Sequence, residues 1–176
     1  MKTITHSSDE GLIIRKFTLK ESHQQVTLLS KYHGRMTLTA YGSKKLTSKR
    51  LSHLETGNVI RFSWREEGGY MTLSETDLMY AHSHIKEDSQ KLDYMYLILF
   101  ILNRILPEDE PETEIYSATL AFFKRLHASQ INMQDVEIFL KDILMRLGFM
   151  DEEQVADQYF EVIPFVEGLI GRKVGV

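Results

Sequence analysis

The chain has 176 residues, of which 43% are hydrophobic and 26% charged, and its formal net charge is −4. That length suits one compact domain or two small ones, large enough to bury a core without staples. It contains no cysteine, which excludes disulfides, thiolate nucleophiles and cysteine-ligated zinc.

The first half has strand character. Residues 12–19 are rich in β-branched and aromatic side chains, and residues 25–30 form a second short run. From Arg35 to Tyr41 the chain alternates: Met36, Leu38 and Ala40 share one face, and Arg35, Thr37, Thr39 and Tyr41 the other. His33-Gly34 lies between the second and third runs, and Gly34 can take the positive φ of a tight turn, so these two runs are expected to form a hairpin. A basic, non-periodic segment follows at 42–49. Residues 59–64 and 70–74 then read as two more strands joined by Glu66-Glu67-Gly68-Gly69, with residues 78–82 extending the last. Five short strands with tight turns predict a small barrel or sandwich.

The second half changes period. A first helix is predicted over 87–106, apolar on all sides in its middle and ended by Pro107. A second runs from about Pro111 to His127, with Ile115, Thr119, Leu120, Phe123 and Leu126 facing inward. In a third, Val136, Phe139, Leu140, Ile143, Leu144 and Leu147 follow helical spacing up to Gly148. A last helix starts after Asp151, with Gln154 in capping-box spacing, and breaks near Pro164; the glycine-rich tail from 168 onward is expected to fray. The fold class is therefore α+β, with domains at 1–84 and 85–176.

Charge follows the same division. Residues 1–84 carry twelve Lys/Arg against eight Asp/Glu, and the remainder nine against seventeen, which suggests different partners for the two halves. The N-terminus has neither an apolar run nor a small-residue cleavage site, and the most apolar stretch, 94–102, falls short of the about 20 residues a membrane span needs. A cytoplasmic protein that does not enter the membrane is expected.

No phosphate-binding glycine loop, Gly-x-Ser-x-Gly elbow or His-Glu-x-x-His helix is present, so no catalytic centre, metal site or cofactor is expected. His82 and His84 would share a face on a strand, but no third ligand is suggested by spacing, and surface histidines explain them. Glu108, Asp109, Glu110, Glu112 and Glu114 are explained by solvation and by the positive end of the following helix. The informative segment is residues 40–51. Lys44, Lys45, Lys49 and Arg50 lie close together among the hydroxyls of Ser43, Thr47 and Ser48. Cations neutralise phosphates, and hydroxyls bond phosphate oxygens. Lys31 and Arg35 extend this basic surface. Tyr32, Tyr41 and Trp64 are candidate stacking platforms for unpaired bases, although Trp64 is assigned to the core.

The order of these motifs resembles the RecO family of bacterial recombination mediators. Gly11-Leu12-Ile13-Ile14-Arg15, Glu21-Ser22, Lys31-Tyr32-His33-Gly34-Arg35 and Ala40-x-Gly42-Ser43-Lys44-Lys45-x-x-Ser48 resemble the N-terminal domain of that family. Its Gly-Ala-Arg-Arg-like loop appears here with Ser43 for alanine, Lys44-Lys45 for the arginine pair, and one extra residue in Ser48-Lys49-Arg50-Leu51. The leucine-rich stretch 97–106 followed by Pro107-Glu108-Asp109-Glu110-Pro111 is similar to the family's helical segment, and residues 139–149 to its final core helix. Many members carry a four-cysteine zinc site after that helix; this sequence has no cysteine.

The resemblance implies a five-stranded OB-fold barrel followed by an all-α domain. It implies binding of single- and double-stranded DNA, annealing of complementary strands and help in loading a recombinase, with contacts to the acidic tail of single-strand-binding protein and to RecR. Lys31, Arg35, Lys44, Lys45, Ser48, Lys49 and Arg50 are the expected DNA contacts. Arg104, Lys124, Arg125, Lys141 and Arg146 are the expected lining of a basic partner groove. The alternative is a non-catalytic protein-interaction module that kept the barrel and lost DNA binding.

Overall fold

The computed structural model describes residues 5–20, 23–42 and 50–174. Five strands come first: β1 (Thr5–Lys20), β2 (His23–Ser30), β3 (Gly34–Ala40), β4 (Val59–Glu67) and β5 (Tyr70–Tyr80). A short helix, α1 (Arg50–His53), stands between β3 and β4. The strands are ordered β1-β2-β3-β5-β4 in a closed barrel, with β3 and β5 meeting at one parallel pair, Thr39 with Thr72.

β1 is long because it serves two neighbours. Residues Thr5 to Leu12 pair with β4, residues Gly11 to Lys20 pair with β2, and a bulge falls between Ile13 and Arg15. Its polar first half, Thr5-His6-Ser7-Ser8-Asp9-Glu10, has no apolar alternation, so the sequence placed its start several residues late; pairing with β4 supplies the order that side chains do not. The alternation expected in β3 holds, with Gly34, Met36, Leu38 and Ala40 all buried. Ile13, Val26, Leu28, Met36, Leu38, Ile60, Phe62, Trp64 and Leu73 fill the interior, and Leu54 after α1 joins them. Asn58 closes α1 by donating from Nδ2 to the carbonyls of Ser52 and His53, both at 3.0 Å.

The helices are α2 (Ser83–Glu87), α3 (Ser89–Ile105), α4 (Thr113–Ala128), α5 (Met133–Arg146), α6 (Glu152–Ala156) and α7 (Val162–Ile170). The helix expected over 87–106 is α3, capped by Asp88, whose side chain accepts from Lys91 N at 3.1 Å; the short α2 before it was not expected. α3 buries Tyr94, Met95, Leu97, Ile98, Leu99, Ile101, Leu102 and Ile105, as its apolar middle suggests. α5 packs with α3 and α7. Capping boxes at Asn132 and Asp151 start α5 and α6. The break after α6 falls at Asp157, ahead of Pro164, which sits in the first turn of α7 where its missing N–H costs nothing. Residues 168–170, expected to fray, complete that helix, which stops at Gly171 with φ 65°.

The contacts divide the chain into two units, and the division does not follow sequence order. Residues up to His82 group with Pro107–Tyr116 as one unit; Ser83–Leu106 and Ser117–Val176 form the other. The barrel thus includes a segment that the expected boundary at residue 84 leaves among the helices.

Candidate nucleic-acid interface

The tip between β2 and β3 is organised by a buried carboxylate. Asp9 on β1, its side chain 1% exposed, accepts from Ser30 Oγ, from Tyr32 N at 3.0 Å and from Glu10 N at 2.7 Å, with His33 Nδ1 2.9 Å away. Burial alone would raise its pKa; the bonds from Ser30, His33, Tyr32 and Glu10 outweigh that and hold it below the ordinary 3.8. His33 also sets its ring edge-on to Trp64 at 4.9 Å. The sequence offered no signal for Asp9: one acid in a polar strand looks solvated until the fold brings the turn to it.

Over this tip lies Pro107–Tyr116. Asp109 N donates to Arg35 O at 3.2 Å, and Thr113 Oγ1 donates to Lys31 O at 2.8 Å. Gly34 has φ 71°, and a Cβ there would lie 1.9 Å from the Glu110 carbonyl oxygen, so only glycine allows this approach. The Arg35 guanidinium reaches Glu108 at 3.0 Å. The acidic run is therefore more than a solvated helix start: it is a strap on the barrel, and one of its acids engages a nominated cation. Crowding has its price in the same strap, where burial, then Glu110 and Glu114, raise the pKa of Glu112. Tyr116, at the end of the strap, is buried, and burial followed by the charges of Glu10, Asp9 and Tyr32 pushes its phenol up.

Of the seven nominated DNA contacts, Lys44, Lys45, Ser48 and Lys49 lie outside the described residues, as does the side chain of Arg50, which begins α1. Lys31 and Arg35 are described, and both are in ion pairs. Lys31 Nζ lies 2.8 Å from Glu10, which raises its pKa, and 5.1 Å from the centre of the Tyr32 ring.

Tyr32 and Tyr41 are exposed, whereas Trp64 is 5% exposed and stacked on Phe62 at 5.2 Å, in the core as expected. Tyr41 stands edge-on to His23 at 5.0 Å, and His23 Nδ1 accepts from Gly42 N at 3.1 Å, which fixes the chain where the basic segment begins. Tyr41, Arg65, Glu67, Tyr70 and Thr72 line one open groove on the barrel wall. The sequence reading found Tyr41 but not Arg65 or Tyr70. Outward alternation on β4 and the exposed β4–β5 turn were the signals available for them.

The histidine pair does not arise. β5 ends at Tyr80, so His82 and His84 share no strand face; His82 lies near Tyr80, and His84 contacts Glu87 at 3.5 Å and sets its ring edge-on to His127. Among the described residues no cluster suits a metal ion, and no helix is long and apolar enough to cross a membrane.

Four of the five cations nominated for a partner groove are engaged separately. Arg104 lies over Phe100 at 5.5 Å, Arg125 over Phe122 at 5.8 Å and 3.6 Å from Asp135, and Arg146 donates to Asp142 at 2.8 Å. Lys141 donates to Asp157 O at 2.7 Å and lies over Phe160; Lys124 is exposed on α4. None of them lines the cleft of about 710 Å³ in the helical unit, whose wall includes Tyr96, Phe100, Arg172 and Lys173. Arg104 comes nearest to it, since Arg172 lies over the same Phe100 ring at 5.8 Å.

Comparison with known proteins gives this barrel its relatives. The family described as recombination protein O N terminal matches residues 1–82. The chain is 24% identical over 143 residues to DNA repair protein RecO of Myxococcus xanthus, covering 81% of this chain and 59% of that protein. It is 26% identical over 141 residues to the RecO of Bacillus subtilis, covering 80% and 54%. With the RecO of Macrococcus caseolyticus the identity is 28% over 106 residues, covering 60% and 42%. The chain thus spans about half the length of these relatives. Residues 1–82 thus resemble the N-terminal domain of the RecO family, and similarity to RecO proteins of these bacteria runs on into the helices.

Proposed function

We propose that this chain acts in DNA repair and homologous recombination by binding single- and double-stranded DNA, annealing complementary strands and assisting recombinase loading. The observation that carries this reading is the groove of Tyr41, Arg65, Tyr70 and Thr72 on a five-stranded barrel ordered β1-β2-β3-β5-β4, at the point where the basic segment 42–49 leaves β3. We take the barrel as an OB-fold, a fold whose strand face and β4–β5 loop commonly hold oligonucleotides. Aromatic faces stack unpaired bases, and cations neutralise phosphates. Annealing requires charge neutralisation and alignment rather than bond-making, so the role is one of binding without catalysis. The relatives are named DNA repair proteins, which favours the same reading. Contacts with RecR and with the tail of single-strand-binding protein belong to the proposal, with the tail assigned to the cleft at Phe100 and Arg172, where Lys173 is shared with Glu167 and Asp93 also lines the wall.

A labelled single strand titrated at several salt concentrations tests it. Binding should weaken steeply with salt, and Lys44→Ala with Lys45→Ala should lower the slope by about 0.7 for each phosphate left without its cation. The second reading, an interaction module without DNA binding, draws support from the Lys31–Glu10 and Arg35–Glu108 pairs. It predicts binding that is absent or insensitive to salt.

A further inference from the structure

The strand register brings together residues that are far apart in sequence. His6 on β1 pairs with Arg65 on β4, Arg65 with Thr72 on β5, and Thr72 with Thr39 on β3. The neighbours of this row along the strands, Trp64, Leu73, Leu38 and Ala40, are buried in the barrel. By the two-residue period of a strand the row itself faces outward. It crosses four strands, about 14 Å at about 4.8 Å per strand, and contains no carboxylate.

The other arginine row on β4 has the opposite character. Arg61 pairs with Asp77 on one side and Glu10 on the other. Arg65 has histidine and threonine in those places. Directly opposed opposite charges attract across a sheet, so the register balances Arg61 with acids and leaves the Arg65 row a surface of hydrogen-bond donors. Two tyrosines flank it on the same wall, Tyr70 two residues before Thr72 and Tyr41 two residues after Thr39; Tyr70 is 80% and Tyr41 53% exposed. Glu67, paired with Tyr70 at the hairpin end, is the one acid lining the groove. Two residues along β4 from Arg65, it shares that face, where a carboxylate can accept from the amino groups of a base but would repel a phosphate.

We infer that this row is a subsite for an unpaired strand: Arg65, with His6 and Thr72 beside it, holds the sugar-phosphate chain, and Tyr70 and Tyr41 stack its bases. The inference rests on the reading that the barrel binds DNA, and it adds selectivity. Bases within a duplex already stack on one another and offer no free face to an exposed tyrosine, so the tyrosines favour single over double strands. None of the seven residues nominated as DNA contacts belongs to this row; of its flanking tyrosines, Tyr41 alone was nominated, as a stacking platform.

The test compares one labelled oligonucleotide, single-stranded and duplexed, on the full chain by fluorescence anisotropy. Tyr70→Ala should weaken single-strand binding about tenfold and change duplex binding by less than about twofold. Tyr70→Phe should restore it, because the ring is kept. Arg65→Ala should weaken single-strand binding and lower its salt slope by about 0.7. Exposed positions allow these changes without loss of fold, and thermal melting checks that. A parent protein that binds the single strand while Tyr70→Ala binds it equally well overturns the subsite and leaves the DNA reading standing. So does an equal loss on both DNA forms, or a Tyr70→Phe variant as weak as Tyr70→Ala. A parent protein that binds neither form at any salt overturns both.

Discussion

Asp9 accepts several hydrogen bonds where burial alone would favour its neutral form. Its pKa is held below 3.8 in the folded chain, so its stabilising effect is fully present above the unfolded pKa and is lost as pH falls through the folded value. Asp9→Asn should therefore lower the melting temperature at neutral pH, and the gap to the parent should close below about pH 4. A gap that stays constant across that range would mean that packing, not ionisation, explains the loss. Gly34 carries a different constraint. With φ at 71° and the Glu110 carbonyl where a Cβ would sit, Gly34→Ala must shift the strap as well as strain the turn. A loss of about 3 kcal/mol is expected in denaturant unfolding, together with faster amide exchange across 107–116. Exchange confined to the turn would show that the strap is held elsewhere.

At the scale of elements, strap and helices call for different tests. If Arg35 serves DNA, Glu108 competes with phosphate for it. Glu108→Gln should then tighten single-strand binding and steepen its salt slope by about 0.7; an unchanged slope would assign Arg35 to the barrel alone. In α5, Asn132 forms a capping box with Asp135, and Asn132→Ala should cost about 1 kcal/mol by thermal denaturation. That box shows what the sequence conveyed poorly. The face of Val136, Phe139, Leu140, Ile143 and Leu144 was legible from spacing, but the box that begins α5 depends on two short polar side chains that many turns also contain. Local patterns likewise revealed β3, the β2–β3 hairpin and the Asp151 cap. The polar start of β1 was illegible because its order comes from a partner strand some 50 residues away. The short α2 was illegible because Ile85 is its one buried residue and five residues carry no helical period. Lys31 and Arg35 were legible as cations, but their carboxylate partners were not, since Glu10 and Glu108 meet them only through the fold.

For the whole molecule, the charge division along the sequence has to be read through the contacts. The acidic strap belongs with the basic half, so the barrel unit is less positive than residues 1–84 taken alone suggest. What positive surface remains for a polyanion is a matter of position: Arg65 stands in a row free of acids, while Arg61 does not. Relatives that extend well beyond this chain's length share the barrel-to-helix stretch in which the strap lies.

The chain leaves the barrel at His82, builds two helices and comes back for Pro107–Tyr116 before departing inside α4. A protease nick within 83–106 would thus put the five strands and Pro107–Tyr116 on different fragments, held together only by the strap's non-covalent seat on the barrel. During synthesis the five strands emerge before the piece that seats against Gly34, so a nascent barrel must wait for two helices to clear the ribosome before it is whole.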